Sequence, residues 1–154
     1  MLKSGVGSFK EKFDELDVAI IRWMSLYGIS LLRIALGVVF IWFGALKVLR
    51  VSPVADLVAQ TVYWLPTKFA VPFLGFWEMI VGLGLIFGRA LRTVLLLLFL
   101  QMSGTFLVLI LHPELSFQNG NLFKLTIIGE FVIKNIVLIS AGLVIGSTVK
   151  RPLE

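Results

Sequence analysis

Four long runs of apolar residues dominate the chain, and short polar stretches separate them. Each run is close to the roughly 20 residues that an α-helix needs to cross the hydrocarbon core of a bilayer. The runs predict membrane-spanning helices at about residues 26–49, 71–87, 91–111 and 125–145. Helices are expected throughout, because irregular backbone exposed to lipid leaves its polar groups unsatisfied. The pattern therefore predicts an all-α integral membrane protein, a four-helix bundle over residues 25–149.

The amino-terminal segment has a different pattern, in which apolar and aromatic side chains recur at alternating steps of four and three. This spacing places them on one face of a helix, opposite the charged residues. The face consists of Phe9, Phe13, Leu16, Ile20, Trp23 and Tyr27. We predict an amphipathic helix over residues 1–24 that lies in the membrane interface. The alternative is a helix that packs against a partner subunit.

A second short helix is predicted between the first two spans. Ser52-Pro53 is typical of a helix start, a polar cap followed by a proline at the first helical position. The helix would run to about Trp64 and end at Pro66. One stripe of it carries Val54, Leu57, Val58, Thr61 and Trp64. A stripe of this kind favours a segment that lies on the outer membrane surface or dips into it.

Composition excludes several classes of protein. The chain is 58% hydrophobic and 15% charged, whereas soluble domains are roughly 45–50% apolar. It contains no cysteine and a single histidine, so disulfides, iron–sulfur clusters and thiolate zinc sites are excluded for the chain alone. We predict no metal site and no intrinsic cofactor. The catalytic residues stay unassigned, and a non-catalytic subunit is favoured over an enzyme.

The positive charges indicate membrane topology. The 14 Lys and Arg residues are scattered at span ends and not clustered on one polar face, which argues against nucleic-acid binding. Most lie on the side that both termini share after four crossings. The positive-inside rule then places both termini in the cytoplasm, including a short tail over residues 150–154.

Ionisable residues within the spans are the candidate functional residues, because each costs about 2.5–3.5 kcal/mol on membrane insertion. In the first span, Arg33 and Lys47 share one helical face with Gly37, Phe40 and Gly44. The two cations are separated by about 21 Å along the helix axis, so they cannot share a counter-ion. For both, the alternative to a position inside the bundle is a side chain that extends to the lipid headgroups.

The second span carries one carboxylate, Glu78, with Gly75 three residues before it and Gly82 four residues after it. Small residues at these positions predict close approach of a neighbouring helix. Nothing in the span offsets the charge, so either an adjacent helix supplies a cation or the carboxyl is protonated. Two further small-residue pairs predict close contacts within the bundle or between subunits: Gly84 with Gly88, and Gly142 with Gly146.

The fourth span carries Glu130 and Lys134 in the order that favours an intrahelical ion pair, followed by Asn135. Gln101, in the third span, is expected to form an interhelical hydrogen bond, and together with Arg33 it is assigned a structural role. The remaining polar groups lie in the outer halves of their helices, or near the middle for Lys134, and are predicted to form one ligand- or partner-binding pocket. They are Lys47, Glu78, His112, Glu130, Lys134 and Asn135. The alternative is a closed network of salt bridges.

Several short segments form a recognisable pattern: Leu32–Gly37 and Phe40–Lys47 in the first span, Ser52-Pro53, Glu78, and Gly129–Asn135 in the fourth span. Together they resemble the DoxX/DoxD-like superfamily of small four-helix membrane proteins, most closely its YkgB-type branch, over about residues 25–146. The resemblance implies a bacterial or archaeal cytoplasmic (inner) membrane. It also implies association with redox proteins, as in the small subunit of a thiosulfate:quinone oxidoreductase. After Lys47, Val48-Leu49-Arg50 departs from the tyrosine and glutamate of that branch.

Three functional hypotheses follow. The first is an accessory subunit of a quinone-linked redox complex, which binds a quinone headgroup or docks a catalytic partner and relies on the quinone or the partner for electron transfer. The second is a purely structural subunit of a larger membrane assembly. The third is a small proton-coupled transporter or lipid-handling protein, in which Glu78 and Glu130 take up protons. Membrane lipid and partner proteins are the expected contacts, with a homo-oligomer as a further hypothesis.

Overall fold

A computed structural model describes residues 3–61 and 65–149, and this part of the chain consists of helices joined by short turns, without a β-strand. The helices are α1 (Lys3–Val48), α2 (Ala55–Thr61), α3 (Thr67–Phe87), α4 (Leu91–Leu111), α5 (Pro113–Ser116), α6 (Ile127–Ile133) and α7 (Asn135–Gly146), with a 3₁₀ turn at Gln118–Gly120. Four segments are long and apolar enough to span a membrane: Lys12–Val48, Thr67–Phe87, Leu91–Leu111 and Ile127–Gly146. The predicted all-α membrane bundle is confirmed. Trp64 and residues 150–154, for which we predicted a helix end and a cytoplasmic tail, lie outside the described residues.

Helix α1 is a single helix of 46 residues. The amphipathic segment 1–24 and the first span, predicted as separate elements, therefore belong to one helix. The chain forms two compact units, residues 1–32 and residues 33–154. In the first unit the predicted apolar face is exposed at Leu16, Ile20 and Trp23. The interfacial position of this segment stays a prediction.

The second and third spans are joined by a tight turn. Helix α4 covers the predicted residues, whereas α3 begins at Thr67, directly after Pro66 and earlier than expected. Gly88 ends α3 with a left-handed φ of 67°, and Ala90, with a φ of 51°, precedes α4. Two left-handed residues within three positions reverse the chain, which is why the connection is so short.

The fourth span, predicted as one helix over residues 125–145, consists of α6 and α7 with a break at Lys134. Thr126 caps α6, because its side-chain oxygen accepts a hydrogen bond of 3.1 Å from the amide of Gly129. At the break, the amide of Val137 donates to the carbonyl of Lys134 at 3.0 Å, a tighter turn than in an α-helix.

Glycines set the contact between α1 and α3. Gly37 faces Gly82, and Gly44 faces Gly75, so that the two helices run antiparallel. A Cβ atom on any of the four would lie 2.5–2.7 Å from the partner's backbone oxygen, which no side chain tolerates. The predicted close approach at Gly75 and Gly82 is thus confirmed.

The other small-residue pairs also pack inside the chain. Gly84 lies against Val94, Gly142 lies against Phe99, and Gly146 lies against Leu95. Helix α4 therefore contacts both α3 and α7. The fully buried side chains include Val81, Leu85, Leu98, Val132 and Ile145.

Candidate functional site

A buried ion pair connects the end of α1 to the middle of α3. The Lys47 ammonium donates to both carboxylate oxygens of Glu78, at 2.8 and 2.7 Å. Both residues are buried, with exposed fractions of 7% and 8%. The glycine contact between Gly44 and Gly75 brings the two backbones close enough for the pair to form. An adjacent helix thus supplies the cation for Glu78, and Lys47 lies inside the bundle.

Gln101 of α4 completes the site. Its Nε2 atom donates to Glu78 Oε1 at 2.6 Å, and the residue is buried. Its amide oxygen is also buried and has no hydrogen-bond partner among the described residues. We call Lys47, Glu78 and Gln101 the carboxylate cluster. The sequence placed Gln101 among the structural residues because nothing in its own helix shows which groups of α3 it faces.

A second polar contact lies between α7 and α4. The Asn135 Nδ2 atom donates to Thr105 Oγ1 at 3.0 Å, and Thr105 in turn donates to the carbonyl of Met102 at 2.7 Å. Asn135 is the first residue of α7, directly after the break at Lys134, and it is buried. The amide of Asn135 thus contacts α4 in the middle of an apolar span.

The carboxylate cluster and Asn135 line the same cavity of about 540 Å³. This volume lies within the roughly 300–1,000 Å³ of small-molecule sites. Most of the lining is apolar, and it includes the aromatic residues Phe43, Phe73, Trp77 and Phe131. The carboxylate cluster and Asn135 meet α4 on successive turns, at Gln101 and at Thr105. We call these side chains the polar wall of the otherwise apolar cavity, which suits a ligand with a small polar head.

Helix α2 forms part of the cavity wall. Of the predicted stripe, Val54, Leu57, Val58 and Thr61 all line the cavity. The helix begins at Ala55, because Ser52 and Pro53 form a preceding turn in which the Ser52 carbonyl accepts a bond of 3.2 Å from the Ala55 amide. The stripe therefore faces the cavity. The position of this segment on the outer membrane surface, or dipping into it, stays a prediction.

Two of the predicted pocket residues, His112 and Glu130, do not line this cavity. His112 follows the end of α4, and its Nδ1 atom lies 3.1 Å from Glu114 in the connection to α5. Glu130 pairs with Lys134 across 3.8 Å, and both side chains are exposed. The buried face of α6 and α7 contains Gly129, Val132 and Asn135, and Glu130 points away from it. Lys134 reaches the cavity lining.

The remaining polar groups are outside the cavity. The backbone amide of Glu114 and the neighbouring His112 hold the pKa of the Glu114 carboxyl below its usual value. Arg33 is half-buried at the other end of the α1 face, where its guanidinium lies against Gly88. Within the described chain, no group of three or more His, Asp or Glu side chains is placed to hold a metal ion.

Four apolar helices and a cavity with one polar wall define a small multi-pass membrane protein. A family model described as DoxX matches residues 28–112, more than half of the chain. The chain belongs to the DoxX family. The matched region contains the whole carboxylate cluster and ends before α6. No curated protein and no solved structure matches the chain, and the YkgB-type branch stays a prediction.

Proposed function

We propose that the protein is an accessory membrane subunit that binds the headgroup of a quinone in the cavity. The observation that carries the proposal is the polar wall, on which the carboxylate cluster and Asn135 meet an apolar space of about 540 Å³. A quinone headgroup is a flat apolar ring with two carbonyl oxygens. Such a ligand suits an apolar pocket with a small number of placed hydrogen-bond donors.

The wall has donors left over for a ligand. Lys47 has three N–H groups and uses two of them on Glu78. The amide nitrogens of Gln101 and Asn135 each have two N–H groups and use one. Within the described part of the chain, one donor therefore remains on each of these three residues, and each residue lines the cavity. The carbonyl oxygens of an oxidised quinone accept such bonds.

The wall also has an acceptor for the reduced form. The Gln101 amide oxygen is buried without a partner in the described chain, and an unsatisfied buried acceptor costs about 1–3 kcal/mol. The hydroxyl group of a quinol is a donor that satisfies it. A wall with free donors and a free acceptor suits both redox states of the ligand.

The cavity offers an exit for an isoprenoid tail. Phe43, Phe73 and Phe131 line it and are themselves 41%, 61% and 40% exposed. Their position indicates that the cavity opens between helices on the surface that faces lipid. A ligand with a polar head and a long apolar tail would reach the polar wall through this opening.

Electron transfer would depend on the quinone and on a partner. The chain has no cysteine and therefore no thiol centre or thiolate-bound cluster of its own. Quinone chemistry is carried by the cofactor, while the protein supplies binding and orientation. We therefore assign the protein the role of a subunit that holds the quinone for a redox partner.

Binding of decylubiquinone to the purified protein in detergent tests the proposal. Gln101→Leu removes a donor and the free acceptor but leaves the Lys47–Glu78 pair intact, so the variant is expected to fold. We expect its dissociation constant to rise by about tenfold. Ser103→Ala is the matched control, because Ser103 is exposed on the same helix and bonds only to the carbonyl of Phe99 at 2.9 Å. Equal affinity of wild type and Gln101→Leu would refute the assignment of the site.

A purely structural subunit is the second candidate. Lys47 already neutralises both oxygens of Glu78, and such a pair can serve insertion alone. The double variant Lys47→Met with Glu78→Met distinguishes the two. A structural role predicts that assemblies isolated from the native membrane keep their composition and any bound quinone, whereas the quinone proposal predicts loss of the quinone.

A further inference from the structure

Arg33 packs against the end of α3. A Cβ atom built on Gly88 would lie 2.5 Å from Arg33 Nη1 and 3.0 Å from its Cζ. Gly88 also has a left-handed φ of 67°, so glycine is the residue that fits both requirements. The guanidinium therefore occupies the space beside the turn between α3 and α4.

The guanidinium has no partner within the described part of the chain. Its Nε atom is buried and bonds to nothing there, and Arg33 forms neither a hydrogen bond nor an ion pair with the described residues. The carbonyl end of α3 provides a favourable field for a cation. These carbonyl groups do not satisfy the five N–H donors of a guanidinium. A half-buried cation without hydrogen-bond partners requires an anion nearby to offset its desolvation.

Among the described residues, the surroundings add positive charge and no carboxylate. Arg89 flanks the same turn and is exposed. Within residues 33–149, Asp56, Glu114 and Glu130 belong to elements at the opposite ends of the spans. The other carboxylate, Glu78, is ten residues before Gly88 in α3, about 15 Å along the helix, and it is paired with Lys47. The anion has to come from outside this part of the chain.

The depth of the turn identifies the source of that anion. Helices α3 and α4 have 21 residues each, about 31 Å of helix, which matches a hydrocarbon core of about 30 Å. The turn between them therefore lies at the level of the lipid headgroups. Beside it, Phe87 is 70% exposed and Leu83 is 44% exposed, which provides an apolar surface for acyl chains.

We propose that Arg33 and Arg89 bind the phosphate of an anionic phospholipid at the turn between α3 and α4. Guanidinium groups match phosphate oxygens in charge and in geometry. Basic pockets between membrane helices select anionic headgroups, because a choline group would be repelled by the neighbouring arginines. This proposal is independent of the quinone site, because neither Arg33 nor Arg89 lines the cavity.

Native mass spectrometry of the full chain tests this site, with dioleoylphosphatidylglycerol and dioleoylphosphatidylcholine added to lipid-free protein in detergent. We expect wild type to prefer phosphatidylglycerol by at least about fivefold, and Arg33→Met to lose most of this preference. Arg22→Gln is the control, because it also removes an exposed arginine from α1 but about 16 Å away along the helix. Retention of the full preference in Arg33→Met overturns the proposal.

Two further measurements cover the remaining outcomes. If Arg33→Met does not fold, Arg89→Gln replaces it, and an unchanged lipid preference in that variant counts against the site. Sodium phosphate is added to the lipid-free protein in a separate thermal unfolding series. Protection by phosphate alone, with no further gain from phosphatidylglycerol, overturns the lipid assignment in favour of a soluble phosphate. Protection by phosphatidylglycerol alone supports it.

Discussion

The two cations on the inward face of α1 have opposite surroundings. Lys47 is buried, and its ammonium lies 2.7 Å from a carboxylate oxygen of Glu78. Arg33 is half-buried, and it has no anionic partner in the described chain. Both lie on the helical face through which α1 contacts glycines of α3, near Gly75 for Lys47 and at Gly88 for Arg33. The same local pattern thus gives two kinds of site. Lys47 belongs to a closed site, in which the chain itself supplies the partner, and Arg33 belongs to an open site, which has no anionic partner among the described residues.

The spacing of residues along α1 determines on which face a charged side chain lies. The groups of the neighbouring helix determine whether that charge is paired. At Lys47 the partner is part of the chain, so the ion pair stabilises the fold and forms a wall of the cavity. At Arg33 the described chain supplies space but no anionic partner, and the proposed lipid supplies the anion. Lys47→Met removes the partner of Glu78 at the closed site. Gly44→Ala tests the glycine contact, and changes at Arg33 and at the Glu130–Lys134 pair test the sites without a buried partner.

The largest effect is expected from Lys47→Met. This change leaves the Glu78 carboxylate buried with Gln101 as its remaining partner, and breaking a buried pair in this way costs about 3–5 kcal/mol. Equilibrium unfolding in mixed micelles with increasing dodecyl sulfate measures the loss. The double variant with Glu78→Met removes both charges and is expected to recover most of the stability. Equal losses in the single and double variants would show that the pair does not act as a unit.

The next effect concerns the glycine contact that brings the closed site together. In Gly44→Ala the new Cβ would lie 2.5 Å from the carbonyl oxygen of Gly75, so α1 and α3 must separate. We expect a loss of about 1–3 kcal/mol and weaker quinone binding, because Lys47 lies one turn further along. Gly28→Ala is the control, since Gly28 on the same helix has nothing within 4 Å of the added atom. Similar losses in both variants would contradict a specific contact.

Much of this fold follows from local pattern, because membrane helices must satisfy their backbone internally. The bounds of α4 and the glycine face of α3 are examples. The sequence also identified a carboxylate in need of a cation, but the choice of Lys47 depends on the register of two helices distant in sequence. The break at Lys134 and the direction of Glu130 were not predictable, because the apolar run continues through them. Each of these features depends on how helices that are distant in sequence pack against one another.

A smaller effect is expected at the open site. In lipid-free detergent, Arg33→Met removes a side chain that makes no hydrogen bond or ion pair with the described residues, and methionine replaces the apolar stem. The free energy of unfolding should change by less than about 1 kcal/mol. The same measurement with phosphatidylglycerol present should separate the two proteins further, since wild type alone would gain from the lipid. A large loss in the free energy of unfolding without lipid would indicate that Arg33, like Lys47, stabilises the fold through a contact within the protein.

The smallest effect on the isolated protein is expected from removal of the Glu130–Lys134 pair. Its two side chains are 59% and 75% exposed, and their charged atoms are 3.8 Å apart. Exposed pairs of this spacing contribute about 0.3–0.5 kcal/mol, so the double variant Glu130→Leu with Lys134→Leu should unfold like wild type in detergent. Assemblies isolated from the native membrane provide a second readout, because an exposed charged pair on a membrane helix suits contact with a partner. Loss of a co-purifying protein without loss of stability would place a docking surface here. A large loss of stability would instead show that this pair stabilises the fold, as the Lys47–Glu78 pair does.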